Sequence, residues 1–454
     1  MAAKRTVPVD PEKDGEFDRA FELFTQFVDL EEADRRHPVR GNAVYKTSVV
    51  LWMLVYQRMS KDSSLEAAVK KLLRTRPALL PANKRVTEGT LSSNSSSYSL
   101  ARSRMPGEAA RWLAERVSES LIDATPPSFD GRRVFLYDGT TITLAPEPEL
   151  RRAFPPASNQ HGEGVWPVAL LTVAHELSSG AAMVPEVGAM YGPNAVSETA
   201  LMQNTLQRLP ANSVVMADAG FGIFAVAHQI SAAGHSFVLR MTRQRFDSLT
   251  RKAELVERGK NYKTWSHRWR PSGNDRASHP DLPADAVLEV RLHEIVVHEN
   301  LTLLVVTDVP HAAAALAKLY ERRFDVEVDI RNLKVVLDAE NIRARSVDTF
   351  FKELMGSMVS YNLVTQFRRQ AAALADQPPR RMSFKRTWTT FRTFLLPATF
   401  TTAAAWREQY RLALGYAMQD KLPNRPGRKY ARETYPRRRK SNSFKKRTPK
   451  PPPS

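Results

Sequence analysis

Residues 134–144 read VFLYDGTTITL. Four large apolar or aromatic residues run into Asp138 and Gly139, and β-branched Thr and Ile follow. The run reads as a β-strand with a polar interruption. Asp is disfavoured inside a strand, and a buried carboxylate needs a partner, which a divalent cation can be. This strand is also where the chain changes character, so the fold is read outward from it.

Upstream, residues 10–124 read as helical. Asp10 and Pro11 make a plausible helix start, with Phe17, Phe21, Phe24 and Val28 on one face. A second helix is expected through AVYKTSVVLWMLVYQRM. A third is expected from Ser63, with Glu66 at capping-box spacing. LSSNSSSYS reads as a polar linker, and ARSRMPGEAARWLAERVSESLI as a further helix. Downstream, WPVALLTVAHEL and AMVPEVGAM add two strands. SETALMQNTLQRL, SVVMAD, FAVAHQISAAG and SFVLRM then alternate helix and strand. Three strands followed by alternation imply an α/β fold with a mixed sheet covered by helices. Asp218 closes SVVMAD, and taken alone it reads as easily as a helix N-cap.

Residues 243–312 shift composition again. YKTWSHRWRPSGND is basic and carries Trp265 and Trp269, and AVLEVRLHEIVVHENLTLLVVTDV alternates as β-hairpins do. A long helix through FKELMGSMVSYNLVTQFRRQAAAL and a basic helical stretch around FKRTWTTFRTFL follow.

The bulk numbers limit function. The 454 residues are 42% hydrophobic and 25% charged, as in ordinary globular proteins, and contain no Cys. Disulfides and Cys-based zinc or iron–sulfur sites are excluded, which suits a reducing cytoplasm. The first residues lack the apolar core of a signal peptide, and the apolar run Val49–Tyr56 is too short to cross a bilayer. No membrane partner is expected. Net charge is +19, which points to a polyanion as partner. Residues 422–454 carry twelve Lys or Arg and one Glu, and read as a basic disordered tail. His161, His175 and His228 have no metal-ligand spacing and read as structural or surface residues. No nucleotide-binding motif is present, so no nucleotide cofactor is expected.

Residues 320–334, YERRFDVEVDIRNLK, lack Gly and Pro and read as one helix. At about 100° per residue, Tyr320, Arg323, Glu327 and Lys334 share an arc of roughly 60°. Leu319, Val326, Ile330, Leu333 and Leu337 form a core face beside it. The plainer reading is a solvated stripe with one Arg–Glu pair. A different reading joins Glu327 to Asp138 and Asp218. Three carboxylates from three elements can hold two Mg²⁺ ions, a pairing suited to phosphodiester chemistry. Tyr320, Arg323 and Lys334 would then contact DNA.

The spacing Tyr320-x2-Arg323-x3-Glu327-x6-Lys334 resembles the Tyr-Arg-Glu-Lys signature of bacterial insertion-sequence transposases of family four. These are cut-and-paste DDE enzymes with an RNase H-like core. YDGTTITL around Asp138 and ADAGFG around Asp218 resemble that family's two Asp motifs. The resemblance covers roughly residues 40–445. It implies Asp138, Asp218 and Glu327 as catalytic triad and metal ligands, with Mg²⁺ the cofactor and Mn²⁺ an accepted substitute. It implies double-stranded transposon-end and target DNA as partners, a homodimer in a synaptic complex, a hairpin intermediate, and a cytoplasmic, nucleoid-associated location. Trp265 or Trp269 would stack on a flipped base. The expected organisation is a helical DNA-end-binding region at 1–128 and a catalytic core at 129–242 and 313–345. A β-rich insertion at 243–312, a helical dimerisation region at 346–421 and the tail at 422–454 complete it. Two alternatives stand beside this reading: a catalytically silent, domesticated DNA-binding protein, and an RNase H-like nuclease that does not join strands.

Overall fold

The structure is a computed structural model, and it describes residues 31–60, 62–75, 80–160, 162–298, 301–336, 338–396 and 403–423. The helix expected from Asp10, His161, Leu337 and nearly all of the basic tail lie outside the described residues. The described helices and strands fall within one compact unit ending at Lys421.

The N-terminal part is helical, as its periodicity implies. Helix α1 spans Thr47–Met59 and α2 Leu65–Thr75. Ser64, not Ser63, caps α2, its hydroxyl accepting from the Ala67 amide at 3.1 Å. The helix expected over ARSRMPGEAARWLAERVSESLI is two helices, α3 Ser96–Arg104 and α4 Gly107–Asp123. Pro106 parts them, because proline has no N–H to donate and pushes the residue before it out of helical geometry. The end of the Ser-rich linker belongs to α3, which starts where the Asn94 side chain accepts from the Ser96 amide.

The sheet strands are β1 Val134–Thr143, β2 Val168–Glu176, β3 Glu186–Ala189, β4 Val214–Ala217 and β5 Ser236–Arg240. Four more follow: β6 Glu254–Arg258, β7 Tyr262–Trp269, β8 Leu288–His298 and β9 Leu301–Thr307. Among the described residues these nine form one sheet in the order β3-β2-β1-β4-β5-β9-β8-β7-β6. Strand β2 is antiparallel to β1 and β3, whereas β4 and β5 run parallel to β1. That arrangement of the first five strands is an RNase H-like core. Helices α5 Glu198–Leu206 and α6 Phe224–Ala232 make the crossovers. Beyond β5 the sheet continues by antiparallel pairing through β9 to β6. The β-rich stretch between 243 and 312 thus extends the core sheet.

Alternation along the strands sends successive side chains to opposite faces. Val134 and Leu136 of β1 join Val214 and Met216 of β4 in one apolar cluster. The cluster also holds Leu316 and Leu319 of α7 (Ala313–Glu321) and Val326 and Ile330 of α8 (Asp325–Arg331). Phe135, Tyr137, Val215 and Ala217 face a larger cluster that includes α1, α4 and α9, Val347–Leu374. Helix α9 is buried along most of its length, and α10 Phe384–Phe394 and α11 Ala403–Ala417 pack on it.

Candidate active site

Strands β1 and β4 are adjacent and parallel, with Leu136 opposite Met216. Two residues further along stand Asp138, inside β1, and Asp218, just past the end of β4. By alternation they share the sheet face of Val134, Leu136, Val214 and Met216, the face on which α7 and α8 pack. Asp218 is not a helix cap. Helix α6 starts six residues on, behind Ile223, and the Asp218 carboxylate accepts from the Gly220 amide at 2.8 Å. Gly222 closes that turn where the Arg240 carbonyl lies 2.1 Å from the position a Cβ would take. The small residues of ADAGFG therefore serve the tight turn that presents Asp218.

The signature segment is not the single helix its periodicity implies. Helix α7 ends at Glu321, a 3₁₀ turn covers Arg322–Phe324, α8 follows, and Asn332–Val336 form a π turn. The four side chains are nonetheless brought around the two aspartates. The Tyr320 hydroxyl donates to the carbonyl of Ala217, the residue before Asp218, at 3.3 Å. Lys334 Nζ donates to the Thr141 carbonyl at 2.9 Å and to the Thr140 hydroxyl at 3.3 Å, just beyond Asp138. Arg323 donates to Glu327 Oε1 at 2.6 Å, and its side chain is 7% exposed against 53% for Glu327. The expected core face is present: Leu319, Val326, Ile330 and Leu333 are buried.

Burial pushes the Asp138 carboxyl above the usual carboxylate range. The Gly139 amide and Arg323 oppose this, while Asp218 and Glu327 add to it. Burial likewise raises the Tyr320 phenol. Negative charge is concentrated where β1 and the end of β4 lie side by side, and Asp138 accepts a hydrogen bond only from the Gly139 amide at 2.9 Å among the described residues.

Two features escaped the sequence reading. Glu198, the first residue of α5, sits beside this cluster, and burial, then Asp138 and Asp218, raise its carboxyl. Asp329, two residues past Glu327, is fully buried. It pairs with Arg380 at 2.7 Å and lies 3.7 Å from His175. His175 is thus structural, with its imidazole pKa pushed down by burial. His228 lies against the Phe224 ring. Trp269 corrects an expectation. It is 4% exposed and meets Phe224 edge-on, so its ring is part of the core and not offered to a base. Trp265 is half-buried and meets Phe246 edge-on.

The family model described as the transposase DDE domain matches residues 130–363. The chain belongs to the DDE transposase family. The match begins just before β1 and ends inside α9, so it takes in Asp138, Asp218 and the whole signature segment. No curated protein matches the sequence. Among solved structures, a similar one is the piggyBac transposase synaptic complex with hairpin DNA, determined by cryo-EM. It is 10% identical, with 90% of this chain and 86% of that chain covered and a TM-score of 0.37, too slight a likeness to argue from.

Proposed function

We propose that this DDE transposase is of insertion-sequence family four, with Asp138, Asp218 and Glu327 as its catalytic carboxylates. In this reading it excises an element at its terminal repeats through a hairpin intermediate and joins it to target DNA. It works as a homodimer on two ends, in a nucleoid-associated setting. The observation that supports this best is the bracketing of the aspartates. Tyr320 is bonded one residue before Asp218, and Lys334 two and three residues after Asp138. A solvated stripe would have no reason to be anchored beside both aspartates. The flanking regions, 1–128 for DNA ends and 346–421 for dimerisation, keep the roles the resemblance implies.

Among the described residues, no three His or carboxylate groups stand close enough to enclose an ion as they lie. The donor chemistry nonetheless fits a hard divalent cation. The donors are all oxygen, and Asp138 is a half-buried carboxylate with no hydrogen-bonded cation among the described residues. Asp138, Asp218 and Glu327 would hold Mg²⁺, or Mn²⁺ in its place. When bound, such ions activate the attacking oxygen and stabilise the leaving one at a phosphodiester. For Glu327 to take part, its carboxylate must leave Arg323, which then has a free guanidinium edge for a phosphate. Lys334 holds the far end of β1 and adds positive charge there. Each strand transfer breaks one P–O bond and forms another, so the reaction needs no nucleotide.

The experiment is strand cleavage on DNA carrying the terminal repeats, with Mg²⁺. Glu327→Gln keeps the side-chain shape and loses the charge, and should lower cleavage at least about 10³-fold while end binding stays within threefold. Cleavage near the native rate by this variant sinks the triad assignment. Cleavage without joining by the native protein would instead favour a nuclease.

A further inference from the structure

Glu198 lies at a position where an acidic residue is unremarkable. It is the first residue of α5, behind Ser197, whose hydroxyl accepts from the Ala200 amide. A carboxylate in the first helical turn is stabilised by the helix dipole, and that alone would account for a solvent-facing Glu. This side chain does not face solvent freely. It turns onto β1 at Gly139. A Cβ at residue 139 would stand 1.9 Å from Glu198 Oε1, 2.1 Å from Cδ and 2.6 Å from Cγ. The carboxylate therefore fills the space that any other residue at 139 would need. Gly139 is the residue next to Asp138, in the middle of a strand, where glycine otherwise weakens pairing.

No donor or cation among the described residues answers that carboxylate. The charges acting on it are Asp138 and Asp218, both negative. Turning a half-buried carboxylate toward two others costs free energy. The strand nonetheless carries a glycine that leaves room for it. The arrangement is rewarded only if a cation sits among the three.

We propose that Glu198 is a fourth carboxylate of the metal site, donating an oxygen beside Asp138 and Asp218 from the opposite side of β1. The assignment rests on the metal-dependent reading of the triad. It also bears on how the site is assembled. Glu327 is engaged by Arg323, whereas Glu198 has no such pair among the described residues. Asp138, Asp218 and Glu198 would have to draw together on the first ion, since as they lie no three carboxylates among the described residues enclose one. Four carboxylates also match the charge of two divalent ions.

The test is Mn²⁺ binding to the full chain without DNA, read by calorimetry and by the electron paramagnetic resonance of free Mn²⁺. Glu198→Gln should raise the Kd about tenfold or more, the usual effect of losing a group that holds or orients a metal. Gly139→Ala should do the same with every carboxylate retained, because the new methyl displaces Glu198. Glu198→Asp should fall between. Melting in chelator should show Glu198→Gln at least as stable as the native protein, since a repulsive charge has gone. Asp138→Asn is the reference. If it abolishes Mn²⁺ binding while Glu198→Gln and Gly139→Ala bind within twofold of native, Glu198 is no ligand and the triad reading stands. If Asp138→Asn binds as native does, or the native protein binds no Mn²⁺, both readings fall.

Discussion

Asp138 carries a cost in the folded chain, one that the catalytic role proposed for it would explain. Its carboxyl pKa is raised in the folded chain, first by burial, then by Asp218 and Glu327. A raised carboxyl means the folded state prefers the protonated form. The destabilisation is thus absent below the ordinary Asp range and fully present once pH exceeds the folded value. Asp138→Asn should therefore stabilise the metal-free protein at pH 7, by about 0.5–2 kcal/mol, the usual size of a single stabilising substitution. The gain should shrink toward zero near pH 4. Urea titrations of both proteins in chelator at the two pH values check this. An Asn variant less stable at pH 7 would mean the carboxylate has a favourable partner. At this scale the sequence was legible where local rules were broken. Asp inside VFLYDGTT contradicts strand preference, and that contradiction marked the site. Glu198 broke no rule, because Ser-Glu at a helix start is ordinary capping chemistry. Only its fold onto Gly139 distinguishes it, and that is a tertiary fact.

At the scale of elements, the question is what fixes the roll of α8, because roll decides where Glu327 points. Asp329 lies two residues on, about 200° around the helix, and anchors the opposite side. It is fully buried and bonded to Arg380, whose Nε also donates to the Leu177 carbonyl at 2.7 Å. Asp325, one turn earlier, lies 3.4 Å from Arg380 and 3.3 Å from Arg322. The end of β2, the turn at 379–381 and α8 are thereby tied together. Arg380→Ala would leave Asp329 buried and unpaired, and should cost about 3–5 kcal/mol, as breaking such a pair does. Denaturant unfolding measures it; a loss under 1 kcal/mol would show that the pair does not hold the helix. The helical period found the core face of this segment but not its breaks. The 3₁₀ and π turns around α8 follow from what Tyr320 and Lys334 must reach, and contacts across the fold leave no periodic trace. Arg380 was invisible for the same reason, being far from Asp329 in sequence. Trp269 was offered to a flipped base on the strength of the resemblance, whereas its position on β7 points it at Phe224 of α6.

At the scale of the whole molecule, charge is unevenly distributed along the chain. The region around β1 and the end of β4 concentrates carboxylates, and DNA would be repelled there unless cations intervened. The excess of positive charge lies elsewhere: residues 422–454 supply twelve Lys or Arg against one Glu, beyond the compact unit that ends at Lys421. The mixed sheet was legible in advance because strand and helix alternated after residue 133. The continuation of that sheet through β9 to β6 was not, since a hairpin's partner strand is not written in its own sequence. The tail's contribution follows from counterion release. Each phosphate it neutralises on duplex DNA contributes about 0.9 to the slope of log affinity against log salt. A chain ending at Lys421 keeps every element described here. It should bind nonspecific duplex more weakly at low salt, with a slope shallower by several units, and the two proteins should converge as salt rises. Per-complex cleavage at saturating end DNA should change little, because the carboxylates and the signature side chains are untouched. Fluorescence anisotropy over a salt series measures the slope. An identical slope for both lengths would place the tail off the DNA, and the binding charge would then have to come from the folded body.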